Sequence, residues 1–167
     1  MKKYELTKEM KTLAHGTVLH RIRALMDIPR FGVKAGELGG FVEGENNLSQ
    51  DGNAWVSGDS RVYGNALVSG NAFVFGDARV SGEARVSGDA KVSANSDYMV
   101  VKNTWSSGRW FTYTRSNKQW AVGCFCGTGE ELIKKAYADS ELSGKCYEAI
   151  VRAVETIEAA KAEAKEA

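Results

Sequence analysis

The sequence predicts a mainly-β protein: a coil of short parallel strands, preceded by a small β cap and followed by a tail of strands and helices. Three observations predict it. From Ala54 to Asn95 one six-residue phrase recurs seven times: AWVSGD, SRVYGN, ALVSGN, AFVFGD, ARVSGE, ARVSGD and AKVSAN. The residues before about position 48 are not repetitive and alternate like strands. The residues after about position 96 turn rich in Val, Tyr, Phe and Trp and then take on helical signals.

Taken in order, residues 1–47 form the cap. MKKYELT reads as one strand, and TVLHRIRALM, from Thr17 to Met26, as its partner, with Val18, Ile22, Ala24 and Met26 on one face. Pro29 and the run GVKAGELGGFVEGENN, with Gly39 and Gly40 adjacent, read as the winding lead into the coil.

Residues 48–96 form the coil. In each phrase the first and third positions point one way and the second and fourth the other, so the first four residues make a short strand. Gly followed by Asp, Asn or Glu is corner composition, because Gly accepts positive φ and an Asx side chain bonds its own local backbone. A hairpin meander would reverse its strands. Here the aliphatic residue always falls on the same side, which places Val56, Val62, Val68, Val74, Val80, Val86 and Val92 inside. Ala54, Ser60, Ala66, Ala72, Ala78, Ala84 and Ala90 accompany them. Each buried Val is worth roughly 1.5–3 kcal/mol.

Residues 97–167 form the tail. YMVVKNTW, RWFTYTRS and QWAVGCF are strand-like, with SSG and SNK as hairpin turns. Thr128 followed by Glu131 is a capping-box pattern opening a short helix over EELIKKAYA. A last helix from about Lys145 carries Tyr147, Ile150, Val151, Val154 and Ile157 on one stripe.

The phrase resembles the hexapeptide-repeat family of left-handed parallel β-helices, in which three phrases close a triangular coil of 18 residues. The resemblance, not the spacing, implies the left hand and the three-sided section. The expected fold class is therefore mainly β: a short left-handed parallel β-helix with an N-terminal β cap and a C-terminal α+β tail. The likeness is strong over residues 54–95 and weaker over LSQDGN, residues 48–53, where Gln50 stands in the Val position. Gly falls two residues after the aliphatic position here, whereas the family's acyltransferases usually carry it directly after. At three phrases per coil the column is only ~2.3 coils tall, and its two open ends need caps or partners.

Nearly the whole chain also resembles a group of phage and prophage accessory proteins. These carry a lysine-rich KKYELT-type strand, a YRIRAL-like segment matched here by HRIRAL, and a GDLGGW-like segment matched by GELGGF. A-x-V-x-G-D repeats follow, and then a GCF-x-GT-x-EE tail matched by GCFCGTGEE. The resemblance implies a setting among host-takeover and counter-defence genes.

Composition narrows the function. The 167 residues are 43% hydrophobic and 26% charged with a net charge of +1, so no bulk attraction draws the chain to duplex DNA or to membranes. No signal peptide and no apolar run of membrane-spanning length is present, which makes the cytoplasm, that of the host cell if phage-encoded, the expected location. Three cysteines, Cys124, Cys126 and Cys146, cannot all pair within one chain and suit a reducing compartment.

Catalysis is not expected, nor is a cofactor or a metal. Hexapeptide acyltransferases need a catalytic His near the cleft between coils, and the only histidines, His15 and His20, precede the repeat. Cys124-Phe-Cys126, even with Cys146, supplies too few ligands for a structural zinc. The carboxylates Asp59, Asp77, Glu83 and Asp89 sit at corners, where turn chemistry accounts for them.

What an 18-residue coil offers is its outer face. Trp55, Phe73 and Lys91 form one column, with Phe75 in the next, an apolar wall read either as a self-association interface or as a surface covered by the tail. Arg61 stacks over Arg79, Tyr63 over Ser81, and Leu67 over Arg85. Arg columns beside a Tyr suit a phosphate or nucleotide, although solvated charge with corner carboxylates is the plainer reading. Trp105, Arg109, Trp110 and Arg115 mix basic and aromatic character as single-strand and nucleotide binders do.

The expectation is a non-enzymatic, homo-oligomeric binding protein of phage type, a homotrimer by the resemblance. It captures a host protein or a small anionic, nucleotide-like signalling molecule through Arg61, Tyr63, Arg79, Arg85, Trp105, Arg109, Trp110 and Arg115. Its subunit interface is Trp55, Phe73 and Phe75. The alternatives are an acyltransferase-like enzyme using His20 and a structural phage component.

Overall fold

The structure is a computed structural model describing residues 2–166, with side chains through residue 164. Strands β1 (Tyr4–Thr12) and β2 (Val18–Ala24) form an antiparallel hairpin, and β3 (Leu38–Val42) adds antiparallel to β2. The repeat supplies β4 (Trp55–Val56), β5 (Arg61–Val62), β6 (Leu67–Val68), β7 (Phe73–Val74), β8 (Arg79–Val80), β9 (Arg85–Val86) and β10 (Lys91–Val92). The tail is a meander of β11 (Tyr98–Lys102), β12 (Trp110–Thr114), β13 (Gln119–Val122) and β14 (Phe125–Gly127). Helices α1 (Gly129–Asp139) and α2 (Glu141–Glu166) follow it.

This corrects the expected fold class. The repeat does not stand as a left-handed parallel β-helix between a cap and a tail. The strands fall into four separate sheets of five, three, four and two strands, and the five-stranded one is mixed, in the order β1-β2-β3-β5-β8. In that sheet the antiparallel N-terminal strands continue directly into parallel pairs, Phe41 beside Arg61 and Arg61 beside Arg79. The repeat strands are two residues long, not four. The physical reason lies in the corners: Gly52, Gly58, Gly64, Gly70, Gly76, Gly82 and Gly88 all sit at φ between 65° and 71°. The left-handed turn consumes the flanking residues and leaves only the central pair extended enough to join a ladder. The protein is mainly β, built of several small sheets, with helices at its C-terminal end.

The 18-residue spacing does set the pairing. Trp55 lies beside Phe73 and Phe73 beside Lys91, while Leu67 lies beside Arg85. All seven repeat valines are fully buried in one cluster with Tyr4, Ile22, Ala24, Val42 and Leu48. At the corners Asn53 donates to Asn71 and Asn71 to Asp89, at 2.9 and 3.2 Å, so the polar side chains stack with the same period.

At the strand ends the ladder has a direction that bears on its end caps: these N–H groups donate toward the following turn, as Trp55 N does to Ala72 O and Phe73 N to Ala90 O. At these positions the first turn is left with orphan carbonyls and the last with orphan N–H groups. The N-terminal side brings donors: Lys3 Nζ reaches Ala54 O at 2.8 Å, and Asn47 Nδ2 reaches Gly64 O and Ala66 O, each at 2.9 Å. The C-terminal side brings acceptors to those N–H groups and, in the Tyr98 hydroxyl, a donor to Arg79 O. Asn95 Oδ1, Thr112 Oγ1 and Ser116 Oγ take the N–H groups of Arg79, Arg85 and Lys91 at 2.9, 2.9 and 2.7 Å.

Gly39 and Gly40 explain the GELGGF segment. A Cβ on Gly39 would lie 2.5 Å from Val56 O and 2.8 Å from the Trp55 ring, and one on Gly40 would lie 2.7 Å from Ser60 O. Here β3 presses onto the repeat with no room for a side chain.

The four-stranded sheet is sandwiched. Tyr98 and Val100 on one face pack on the valine core, and Phe111, Tyr113, Trp120 and Val122 on the other pack against Leu132, Ile133, Tyr147, Val151 and Val154 of the helices. The expected capping box is present: Thr128 Oγ1 accepts from Glu131 N, while Glu131 Oε2 accepts from Thr128 N and Thr128 Oγ1, and those two donations hold the Glu131 carboxyl below its usual range. Helix α2 starts four residues earlier than expected, because Gly144 lets the Tyr137 ring of α1 lie flush against it; a Cβ there would meet that ring at 2.2 Å. Ile157 is exposed, so the apolar stripe of α2 stops at Val154.

In the hairpin, Leu19, Ile22 and Ala24 are buried whereas Val18 and Met26 are exposed. The register of β1 against β2 slips between Leu6 and Met10, so the alternation changes phase within the strand.

Candidate functional site

The mixed sheet builds a basic groove. Arg61 on β5 and Arg79 on β8 are direct neighbours in the parallel ladder, so their side chains leave the same face about 4.8 Å apart. Phe41 is the next residue in that row; it is buried, with Lys11 Nζ 4.4 Å and the Arg21 guanidinium 5.3 Å from its ring centre. The hairpin between β1 and β2 turns through Leu13–Thr17, closed by Leu13 N to Thr17 O at 2.8 Å and Gly16 N to Leu13 O at 2.9 Å. That turn brings His15 over the sheet, its ring 5.9 Å from that of Tyr63 and tilted by 41°. Lys11, His15, Arg61, Tyr63 and Arg79 line a groove of about 380 Å³, open to solvent.

No carboxylate lines it. Lys11 pairs with Asp59 at 3.3 Å, but among the described residues neither Arg61 nor Arg79 has a carboxylate within ion-pair distance. The backbone under Arg79 is fixed by the Tyr98 hydroxyl, which donates to Arg79 O at 2.9 Å; burial pushes that phenol's pKa up, so it stays a donor. The result is two planar guanidinium forks near two rings, groups whose chemistry suits a bidentate phosphate contact and a stacked flat group.

The structure groups the sequence-predicted residues differently from the expectation. Arg61, Tyr63 and Arg79 come together. Arg85 lies in the separate β6-β9 sheet. Trp105, Arg109 and Trp110 belong to the hairpin of β11 and β12, and Arg115 is bonded through Nε to Glu158 at 2.8 Å. Trp55 is 1% exposed, covered by the close passage of Gly39, and so is not an outward wall residue. Phe73 and Phe75 are half-buried in a stack with Phe31, with ring centres 4.4 and 4.8 Å apart. Sequence reasoning missed Lys11 and His15 as groove residues. They reach Arg61 only because β2 and β3 stand between β1 and β5, an order that no spacing in the sequence announces.

His20 is half-buried on β2, opposite Met10 and Val42, away from the groove. Among the described residues no group of three or more His, Cys, Asp or Glu side chains is placed to hold a metal ion, and no helix is long and apolar enough to cross a membrane. The three cysteines are unpaired. No known family model matches the chain, and no curated protein matches its sequence.

Proposed function

We propose that the protein is a non-enzymatic binding protein that captures a small phosphate-bearing, nucleotide-like anion in the groove beneath the β1–β2 turn. One observation carries this reading: Arg61 and Arg79 stand side by side, without carboxylate partners among the described residues, next to Tyr63 and His15. Arginines that serve only solubility are normally solvated or paired at the corners, as Arg30 is with Asp89 at 2.7 Å. The likeness of the HRIRAL, GELGGF and GCFCGTGEE segments to phage accessory proteins gives the capture a setting, the withdrawal of a host signalling molecule from circulation.

Calorimetry against a panel of cyclic nucleotides, ADP-ribose derivatives and inorganic phosphate tests the proposal. At least one nucleotide should bind with micromolar or better affinity, and Arg61→Ala/Arg79→Ala should weaken it by roughly 100-fold, as expected for the loss of two charge-assisted contacts. Silence across the panel, or equal binding by the double variant, contradicts it.

A further inference from the structure

The turn joining β11 to β12 is organised around one side chain. Asn103 is fully buried; its Oδ1 accepts from the N–H groups of Trp105 and Ser106 at 3.1 and 3.3 Å, and its Nδ2 donates to Ser106 Oγ at 2.9 Å. Its own N–H donates to Arg109 O at 2.9 Å, closing the loop. What this fixed loop holds out is Trp105, which is 68% exposed. Trp110, the first residue of β12, is 39% exposed, with Lys102 Nζ 5.2 Å from its ring centre.

The strands and turns around these rings carry charge of one sign in sequence. Between Asp97 and Glu130 the sequence holds no acidic residue and four cations, Lys102, Arg109, Arg115 and Lys118. Arg115 is bonded to Glu158, whereas Lys102 and Arg109 have no carboxylate within ion-pair distance among the described residues. An exposed Trp on an ordered loop leaves a large apolar ring in water, and Lys102 lies over the neighbouring Trp110 ring, while the Arg109 side chain turns away toward Gly123 and α1.

We propose that this hairpin tip binds single-stranded nucleic acid, with unpaired bases stacking on Trp105 and Trp110 and with Lys102 neutralising an adjoining phosphate. Every base offers a π-face, so such a platform is tolerant of sequence. A duplex hides those faces in its own stack, so the platform discriminates against it. Because the buried Asn103 fixes the loop before binding, little loop entropy remains to be lost. A lipid surface suits the tip less well: Lys102 to Trp110 contains hydroxyl and basic side chains around the rings and no aliphatic side chain to bury. This site lies at the end of β11 opposite Tyr98, the residue that touches Arg79, and does not depend on the groove reading.

The test is anisotropy of a labelled oligothymidine of about a dozen nucleotides at low salt, paired with the quenching of tryptophan fluorescence. Binding should exceed that of a duplex of equal length and weaken as salt rises. Trp105→Ala should cost at least about fivefold in affinity with no change in melting temperature, because the ring is exposed. Lys102→Ala should flatten the salt dependence. Absence of binding up to about 100 µM protein at low salt overturns the proposal, as does undiminished binding by Trp105→Ala. Loss in Arg61→Ala/Arg79→Ala with retention in Trp105→Ala moves the contact to the groove and also overturns it. Sedimentation with phosphatidylglycerol vesicles without oligonucleotide binding replaces it with a lipid contact.

Discussion

Lys3 is a cation placed where a cation is costly: it is 2% exposed, and burial, opposed only by Asp51, lowers its pKa to about 8. Its reward is structural, since Nζ donates to Ala54 O and Gly52 O at the open first turn of the repeat. The linkage has a definite sign. Between about pH 8 and 10.5 the unfolded chain holds a proton on Lys3 that the folded chain has released, so stability rises with pH across that window. Below it both states are protonated and the full cost of burying the ammonium remains. Urea denaturation of the native chain and of Lys3→Met should show the native chain gaining on the variant by up to about 1.4 kcal/mol per pH unit from pH 8 to 10; parallel profiles would show that the ammonium is not penalised.

Gln50 is the partner of this device. It interrupts the valine series, and its amide accepts from Lys3 N at 2.9 Å and donates to Tyr4 O at 3.3 Å, joining the first strand to the first turn. The break in the pattern was legible in the sequence as an exception. Its partner, 47 residues away, was not.

At the level of the elements, the inward line of valines was legible because a period of six keeps one side chain type on one side, and all seven are buried. Strand length was not legible, since the number of residues consumed by a left-handed Gly corner depends on three-dimensional closure. The hairpin phase failed at a bulge, which a regular alternation cannot foresee. The end of the repeat carries a signal in hindsight: the seventh phrase has Ala94 where the others have Gly, and Ala94 takes φ −142°, so the chain runs on extended and leaves the repeat.

The capping of the last turn makes a prediction at this scale. Thr112 is buried, and its Oγ1 takes the Arg85 N–H at 2.9 Å. Thr112→Val keeps the shape, removes the acceptor and leaves a part-buried N–H unpaired. Thermal or urea denaturation should show a loss of about 1–3 kcal/mol, and an unchanged midpoint would mean that water serves that N–H equally well.

As a whole molecule the chain is close to neutral, with a net charge of +1, yet it does not spread its charge evenly. Most carboxylates near the repeat are engaged at corners or in ion pairs, while Arg61 and Arg79 are left together over Phe41 and beneath a turn carrying His15. The 18-residue spacing made the Arg61 and Arg79 pair legible. Which surface lies over it was decided by sheet order, and so was the separation of Arg85 and the Trp105 hairpin from the groove.

The most direct measurement is native mass spectrometry of the protein taken straight from the cells in which it acts, compared with Arg61→Ala/Arg79→Ala. The native chain should carry a noncovalent small-molecule mass that is absent from the variant and is released as a phosphate-bearing compound on denaturation. A bare polypeptide mass for both proteins, or the same retained compound on both, would contradict this expectation.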